Sequence, residues 1–268
     1  MWEPLMHRAL ALAALAQGCT SPNPLVGALV LDANGRLIGE GYHARAGRPH
    51  AEVGALAQAG EAARGGTLIV TLEPCCHHGR TPPCTDAVIA AGLERVVVAL
   101  EDPDPRVAGG GVSRLRSAGL EVITGVLREQ AAQQNRAFVH RVRTGRPWGV
   151  LKWAMSLDGR TALPNGESQW ISGSEARSWV HQLRACCDAV IVGGGTLRAD
   201  DPLLTSRGRR DPSRCGWCSV AACRSLLGHS SGTLTWLQPC WLTARRSVMF
   251  RLPADLSGCP CRSVIRSI

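Results

Sequence analysis

The sequence predicts a layered α/β fold. Three observations carry that prediction. Apolar, β-branched runs alternate with alanine-rich stretches of helical period. An Asn34-Gly35 pair, a strong hairpin turn signal, separates two strand-like runs. Thr144-Gly145-Arg146-Pro147 then divides two such alternating regions, since Gly and Pro mark a junction. With 268 residues, 45% of them hydrophobic, the chain can supply two cores of ordinary size.

The elements follow in order. Met6, Ala9, Leu10, Ala13 and Ala16 keep helical spacing, which predicts an opening helix. The same stretch imitates a secretion signal, with Arg8 before a short Ala-rich run and Cys19 after it. That run is too short and too regular in its spacing, so a cytoplasmic protein is expected, its cysteines thiols or ligands rather than disulfides. Strands are predicted over 25–31 and 36–42, then a helix beginning at His50 and running to about residue 64. The run 67–72 reads as a strand, and Pro82-Pro83 suits the opening of a helix to Ala91. A strand over 95–100, a helix over 109–118, a strand over 121–126 and a helix over 129–143 complete the first region. Beyond the junction, 148–155 reads as a buried strand and 156–160 as a turn. Ser172 or Ser174 can cap a helix through Cys187. A strand over 188–192 leads to Gly193-Gly194-Gly195-Thr196 at the start of another helix.

The residues with most chemistry lie in Pro49-His50-Ala51-Glu52 and in the run from Glu73-Pro74-Cys75 to Cys84. His50, Cys75 and Cys84 are the soft donors of a catalytic zinc site, in which three protein ligands leave a fourth tetrahedral position open. Glu52 is a carboxylate with no need to bind metal, placed to carry a proton from the activated water to a departing amine. The chemistry so described is hydrolytic deamination, whose pattern is His-x-Glu followed by Pro-Cys-x-x-Cys. Here eight residues rather than two separate the cysteines, which puts Cys75 on a loop and Cys84 on the first turn of a helix. Two residues apart on an ideal helix is roughly 200°. His50 and Glu52 can therefore face one metal only from an irregular first turn. Cys76, His77 and His78 are rival ligands, and buried thiols or a structural zinc are the plainer readings.

Composition narrows the function classes. The net charge of +9 is uneven, for residues 1–207 carry +2 and residues 208–268 carry +7. With 4% aromatic residues there is little material for stacking bases, which argues against nucleic acid as partner. No apolar run approaches membrane-spanning length. Lys152 is the one lysine, all other basic residues being arginine, and it invites a functional reading beside that of chance.

Taken together, these segments resemble the bifunctional deaminase-reductase family of riboflavin biosynthesis, diaminohydroxyphosphoribosylaminopyrimidine deaminase joined to 5-amino-6-(5-phosphoribosylamino)uracil reductase. Ser21-Pro22-Asn23-Pro24, Gly41-Tyr42-His43, Pro49-His50-Ala51-Glu52, the run from Thr71 to Cys84 and Asp102-Pro103-Asp104-Pro105 carry the resemblance in the first region. Leu157-Asp158-Gly159-Arg160, Gly166-Glu167-Ser168-Gln169-Trp170-Ile171 and Asp200-Asp201-Pro202 carry it in the second. The resemblance implies a cytidine-deaminase-like layered domain over 1–145 and a partial dihydrofolate-reductase-like domain over 146–207. It implies Zn2+ and NADPH as cofactors, and a ribose-phosphate pyrimidine as substrate. Asn23 and His43 would bind the pyrimidine, and Arg80, just before a helix N-terminus, would meet the phosphate; a solvated loop arginine is the plain alternative. Ala154, Trp170, Thr196 and Asp200 would contact NADPH. Ser168, Arg184, Leu204 and Arg207 would contact the substrate of the reductase, the two arginines at its phosphate.

After Arg207 the resemblance is expected to stop. Residues 208–268 hold six of the 12 cysteines and three of the eight tryptophans, without sustained period. They read as a tail in a shifted frame or a disordered one, a small zinc module at Cys215-Gly216-Trp217-Cys218 being the alternative. A nucleoside or tRNA deaminase, or a nucleic-acid-binding protein with a structural zinc, are the rival functions. A homo-oligomer is compatible with all of them.

Overall fold

The computed structural model describes residues 2–77, 82–105, 107–207 and 218–221. The chain divides into two compact units, Met1–Ile171 and Ser172–Ile268. The first opens with α1 (Glu3–Ala14) and holds a five-stranded sheet in the order β2-β1-β3-β4-β5. Its strands are β1 (Gly27–Leu31), β2 (Leu37–Tyr42), β3 (Thr67–Leu72), β4 (Arg95–Leu100) and β5 (Glu121–Thr124). Between them run α2 (Ala51–Ala59) with a 3-10 turn (Gly60–Ala63), α3 (Cys84–Ala90) and α4 (Gly110–Ser117); α5 (Arg128–Gln134) and α6 (Arg136–Thr144) follow. β1 pairs antiparallel with β2 and β3, whereas β3, β4 and β5 are parallel.

The central strands are apolar throughout because both of their faces are covered. Alternate residues point to opposite sides. Ala28, Val30, Leu68, Val70, Val96 and Val98 pack with Ala51, Ala55, Val88 and Leu115 of α2, α3 and α4. Leu29, Leu31, Ile69, Val97 and Ala99 pack with Met6, Ala9 and Leu10 of α1 and with Ala131 and Val139 of α5 and α6. In the hairpin, Asp32 Oδ1 accepts from the amides of Asn34 (2.9 Å) and Arg36 (2.8 Å), and Gly35 takes φ +78°. One close approach positions the site. A Cβ on Gly41 would lie 2.3 Å from the carbonyl oxygen of Ala51, so α2 rests directly on the backbone of β2.

Several expectations are corrected. Segment 148–155 is not a buried strand: it pairs with no other segment among the described residues, and Leu151 is 82% exposed. Strand geometry needs a partner for its amides and carbonyls, and apolar composition alone does not supply one. The segment stays with the first unit, where the Trp148 ring meets His140 edge-on at 5.3 Å. The helix expected over 129–143 is broken at Asn135. Its side chain accepts from the amide of Leu25 (2.8 Å) and donates to the Leu25 carbonyl (2.9 Å), a tertiary pairing that no local propensity encodes.

In the second unit, α7 (Ser174–Ala185) starts from Gly173, with no side-chain cap, so neither Ser172 nor Ser174 plays that part. Ser172 instead offers its carbonyl oxygen to the Arg177 guanidinium. β6 (Ala189–Val192) leads to α8 (Gly194–Asp200), as the glycine run predicts. β6 pairs in parallel with β7 (Cys218–Ala221), a strand inside the region read as patternless. Four residues are too few to show a period. The proposed Cys215 module, and the tail apart from β7, lie outside the described residues.

Candidate active site

The site is built by the loop after β3 and by two loop-to-helix transitions, into α2 and α3. His50 is the N-cap of α2, with extended backbone (φ −72°, ψ 161°), while Glu52 lies in the first turn of that helix. That break from helical geometry lets both side chains turn toward one point. Cys75 lies on the loop after β3, and Cys84 is the first residue of α3, after Pro83 at the N-cap. Ligand atoms of His50, Cys75 and Cys84 lie within 4.8 Å of one another. His50 Nδ1 is 3.1 Å from Cys84 Sγ and 3.7 Å from Cys75 Sγ, and the Cys84 amide donates to Cys75 Sγ at 3.3 Å.

The electrostatics of these groups suit a cation. A hydrogen bond from the Cys84 thiol, helped by His50, brings Cys75 down to about 4, while Cys84 is driven up by the same bond and by burial. His50 is raised, first by its bond to Cys75. The pair thus holds one proton that a cation would displace. Glu52 is 3% exposed, its Oε2 has no hydrogen-bond partner, and burial pushes its carboxyl up to about 7. An orphaned buried carboxylate oxygen beside two sulfurs and an imidazole fits a site made for an ion and a reacting molecule.

The rivals are set apart. Cys76 Sγ turns toward α4, where a Cβ on Gly110 would meet it at 3.0 Å; His77 is exposed; His78 and Arg80 lie outside the described residues. Asn23 and His43 do come together. His43 Nε2 is 3.0 Å from Asn23 Nδ2 and its Nδ1 is 3.1 Å from the Pro49 carbonyl oxygen. An amide nitrogen donates, so Nε2 accepts and Nδ1 carries the proton, which is the neutral ring. Burial lowers the His43 pKa in the same sense, against the Pro49 bond. The His43 and His50 rings stand edge to face, centroids 5.4 Å apart. Beyond Asn23 opens a cavity of about 420 Å³, with Asp104, Pro105, Phe138 and Arg141 on its walls.

The residues expected at the reductase site are described within each unit. In the first, Ala154 and Ser168 are half-buried and Trp170 is 65% exposed, all on segments without helix or strand. In the second, Thr196 and Asp200 are exposed on α8, and Leu204 is buried with φ +51°. Arg184, on the last turn of α7, has its pKa lowered by burial and then by the charge of Arg207, the arrangement of two cations that an anion would relieve.

Comparison with known proteins agrees with this geometry. Residues 2–100 match the model of the cytidine and deoxycytidylate deaminase zinc-binding region, and residues 147–231 match that of the RibD C-terminal domain. Over 203 residues the chain is 53% identical to the riboflavin biosynthesis protein RibD of Synechocystis, and over 205 residues 54% identical to that of Escherichia coli. Over three quarters of its length the chain is thus similar to RibD proteins. These alignments take in 76% of the chain but 55% and 56% of the two relatives, so it spans about half the length of the curated RibD proteins it matches. Among solved structures, RibD of Acinetobacter baumannii (form 1) is 50% identical with a TM-score of 0.74, over 78% of this chain and 59% of that one. The deaminase/reductase of Thermotoga maritima is 46% identical at the same TM-score, over 78% and 60%. The RibD match continues past Arg207 to residue 231 and includes β7, which corrects the expectation that resemblance ends at 207. Among the described residues, no helix is long and apolar enough to cross a membrane.

Proposed function

We propose that the first unit is a zinc-dependent deaminase that hydrolyses the 2-amino group of 2,5-diamino-6-(5-phosphoribosylamino)pyrimidin-4-one, in the cytoplasm, where its thiolate ligands stay reduced. The observation that carries this reading is the convergence of His50, Cys75 and Cys84 beside the buried Glu52, whose Oε2 has no hydrogen-bond partner. His50 Nδ1 and the two sulfurs would hold Zn2+, which supplies the Lewis acidity that makes water a nucleophile near neutral pH. Glu52, with its carboxyl pushed up to about 7, takes the proton of the attacking water at Oε2 and returns it to the leaving nitrogen as ammonia departs. Neutral His43 and the Asn23 amide orient the pyrimidine, and burial of the Glu52 carboxyl keeps bulk water from competing for its proton.

The second unit would contribute to an NADPH-dependent reduction of 5-amino-6-(5-phosphoribosylamino)uracil. Thr196 and Asp200 with Ala154 and Trp170 would serve NADPH; Arg184 and Arg207 with Ser168 and Leu204 would serve the ribose-phosphate. Arg80 remains the proposed phosphate contact of the deaminase. Zinc content, together with turnover of the ribose-phosphate pyrimidine against cytidine and RNA, tests the reading. One zinc per chain with turnover of the first alone is the expected result. Turnover of cytidine or RNA in its place would transfer the chain to another deaminase class.

A further inference from the structure

The strongest unassigned chemistry near the site is the side chain of Glu73, two residues before Cys75 and 3% exposed. Its carboxylate accepts three backbone amides that belong to neither β3 nor the metal loop. Oε2 takes those of Asp102 and Gly109, each at 3.0 Å, and Oε1 takes that of Val112 at 2.9 Å. The first donor opens the turn at 102–105, and the other two frame the start of α4. Helix α4 has Gly109 at its N-cap, with φ +76° and no side-chain cap of its own. Glu73 therefore does from another element what an N-cap side chain would do, with a negative charge at the positive end of the helix dipole.

The packing is tight enough to make this one rigid joint. A Cβ on Gly111 would lie 2.1 Å from the Pro74 carbonyl oxygen and 3.1 Å from Glu73 Oε1, so α4 can begin here only against the backbone of the metal loop. The turn is also tied within itself: the Asp104 amide donates to Asp102 Oδ1 at 2.9 Å, and the amides of Val107 and Ala108 donate to the Asp104 carbonyl at 2.8 Å. One carboxylate thus holds the backbone at Asp102, where the turn opens, and at Gly109, where α4 begins. Asp104 and Pro105 of that turn line the same cavity as Pro22, Asn23 and Pro24.

We propose that Glu73 is a positioning residue that fixes Asp104 and Pro105 in the cavity that Asn23 also lines, and thereby sets affinity for the ribose-phosphate pyrimidine. This rests on the deaminase reading. Cys75 itself is anchored independently, since its carbonyl accepts from the Thr85 amide at 3.2 Å and its sulfur from the Cys84 amide. Loss of Glu73's grip therefore loosens Asp104 and Pro105 and leaves the metal ligands in place. In Glu73→Gln one oxygen becomes an NH2, which cannot accept, so at least one buried amide loses its partner.

The test is steady-state kinetics of Glu73→Gln with zinc measured in the same samples. The expected result is a KM raised about tenfold or more, kcat within about threefold of wild type, and one zinc per chain. An unchanged KM, or a loss of kcat or zinc at constant KM, overturns the proposal, because a purely structural residue lowers only the active fraction. Should Glu73→Gln not fold, amide exchange in the wild type decides. The amides of Asp102, Gly109 and Val112 are expected to exchange as slowly as those of β3, and exchange at the rate of exposed loops overturns the proposal. A wild type that turns over no ribose-phosphate pyrimidine contradicts the deaminase reading instead, and the exchange result then tests the Glu73 joint on its own.

Discussion

At the scale of single residues, the proposed chemistry is divided between sulfurs that would hold the ion and one carboxylate that would move protons. Cys84→Ser should lose zinc and deamination together, whereas Cys76→Ser should retain both, because Cys76 Sγ turns toward Gly110 of α4. Metal analysis beside activity measures this directly. Asp102 gives a pH dependence with a definite sign. Burial raises its carboxyl from 3.8 to about 6, against the bond from Asp104, so the folded state binds its proton more tightly than the unfolded state does. Unfolding free energy should therefore fall as pH rises from about 4 to 6, the penalty being complete above that window. Asp102→Asn keeps the acceptor and removes the charge. It should be more stable than wild type at pH 8 by about 1–2 kcal/mol, the full shift being discounted because the group is part-exposed, and equal to it below pH 4, as urea melts would read. Of this site, His50, Glu52, Cys75 and Cys84 were legible in the sequence because metal ligation restricts residue type and spacing together. Glu73 was not. A carboxylate that binds distant backbone amides leaves no pattern along the chain.

At the scale of elements, β2, α2 and β3 carry the site, and their contacts are backbone to backbone. Gly41→Ala would drive a methyl group into the Ala51 carbonyl at the first residue of α2, next to His50. Overpacking of this kind costs about 1–3 kcal/mol or more, and zinc affinity should fall with stability because His50 moves with the helix. Thermal melts and chelator competition on one preparation check both. Asn135→Ala should cost about 1–3 kcal/mol without changing zinc affinity, since it orphans two buried backbone groups of Leu25, neither of them bonded to a proposed ligand. The strands of the first unit were legible because runs such as 67–72 and 95–100 are apolar on both faces and bounded by turn residues. The break at Asn135 and the failure of 148–155 to pair were not legible, for each depends on a partner elsewhere in the chain. Gly173 stands at the N-cap of α7 in place of a serine, although several residues satisfied the local rule.

At the scale of the molecule, the two units are unequal. The first has a sheet covered on both faces, whereas α7 of the second buries no residue and Ile191 of β6 is 70% exposed. With α7 burying no residue and β6 exposed, the second unit should reduce poorly beside a deaminase that works, because hydride transfer needs donor and acceptor held at roughly 3–3.5 Å inside a closed site. Absorbance at 340 nm with the deaminated product should show little NADPH oxidation, and a separate active reductase added in trans should restore it. The central claim concerns the first unit alone, and one measurement tests it most directly: ammonia release from the ribose-phosphate pyrimidine, without NADPH, by wild type and Glu52→Gln at equal zinc content. The account predicts steady release by the wild type and a rate lower by about 10²-fold or more in the variant, which keeps every ligand but loses the proton carrier. Equal rates in the two proteins, or no release from fully zinc-loaded wild type, would contradict it.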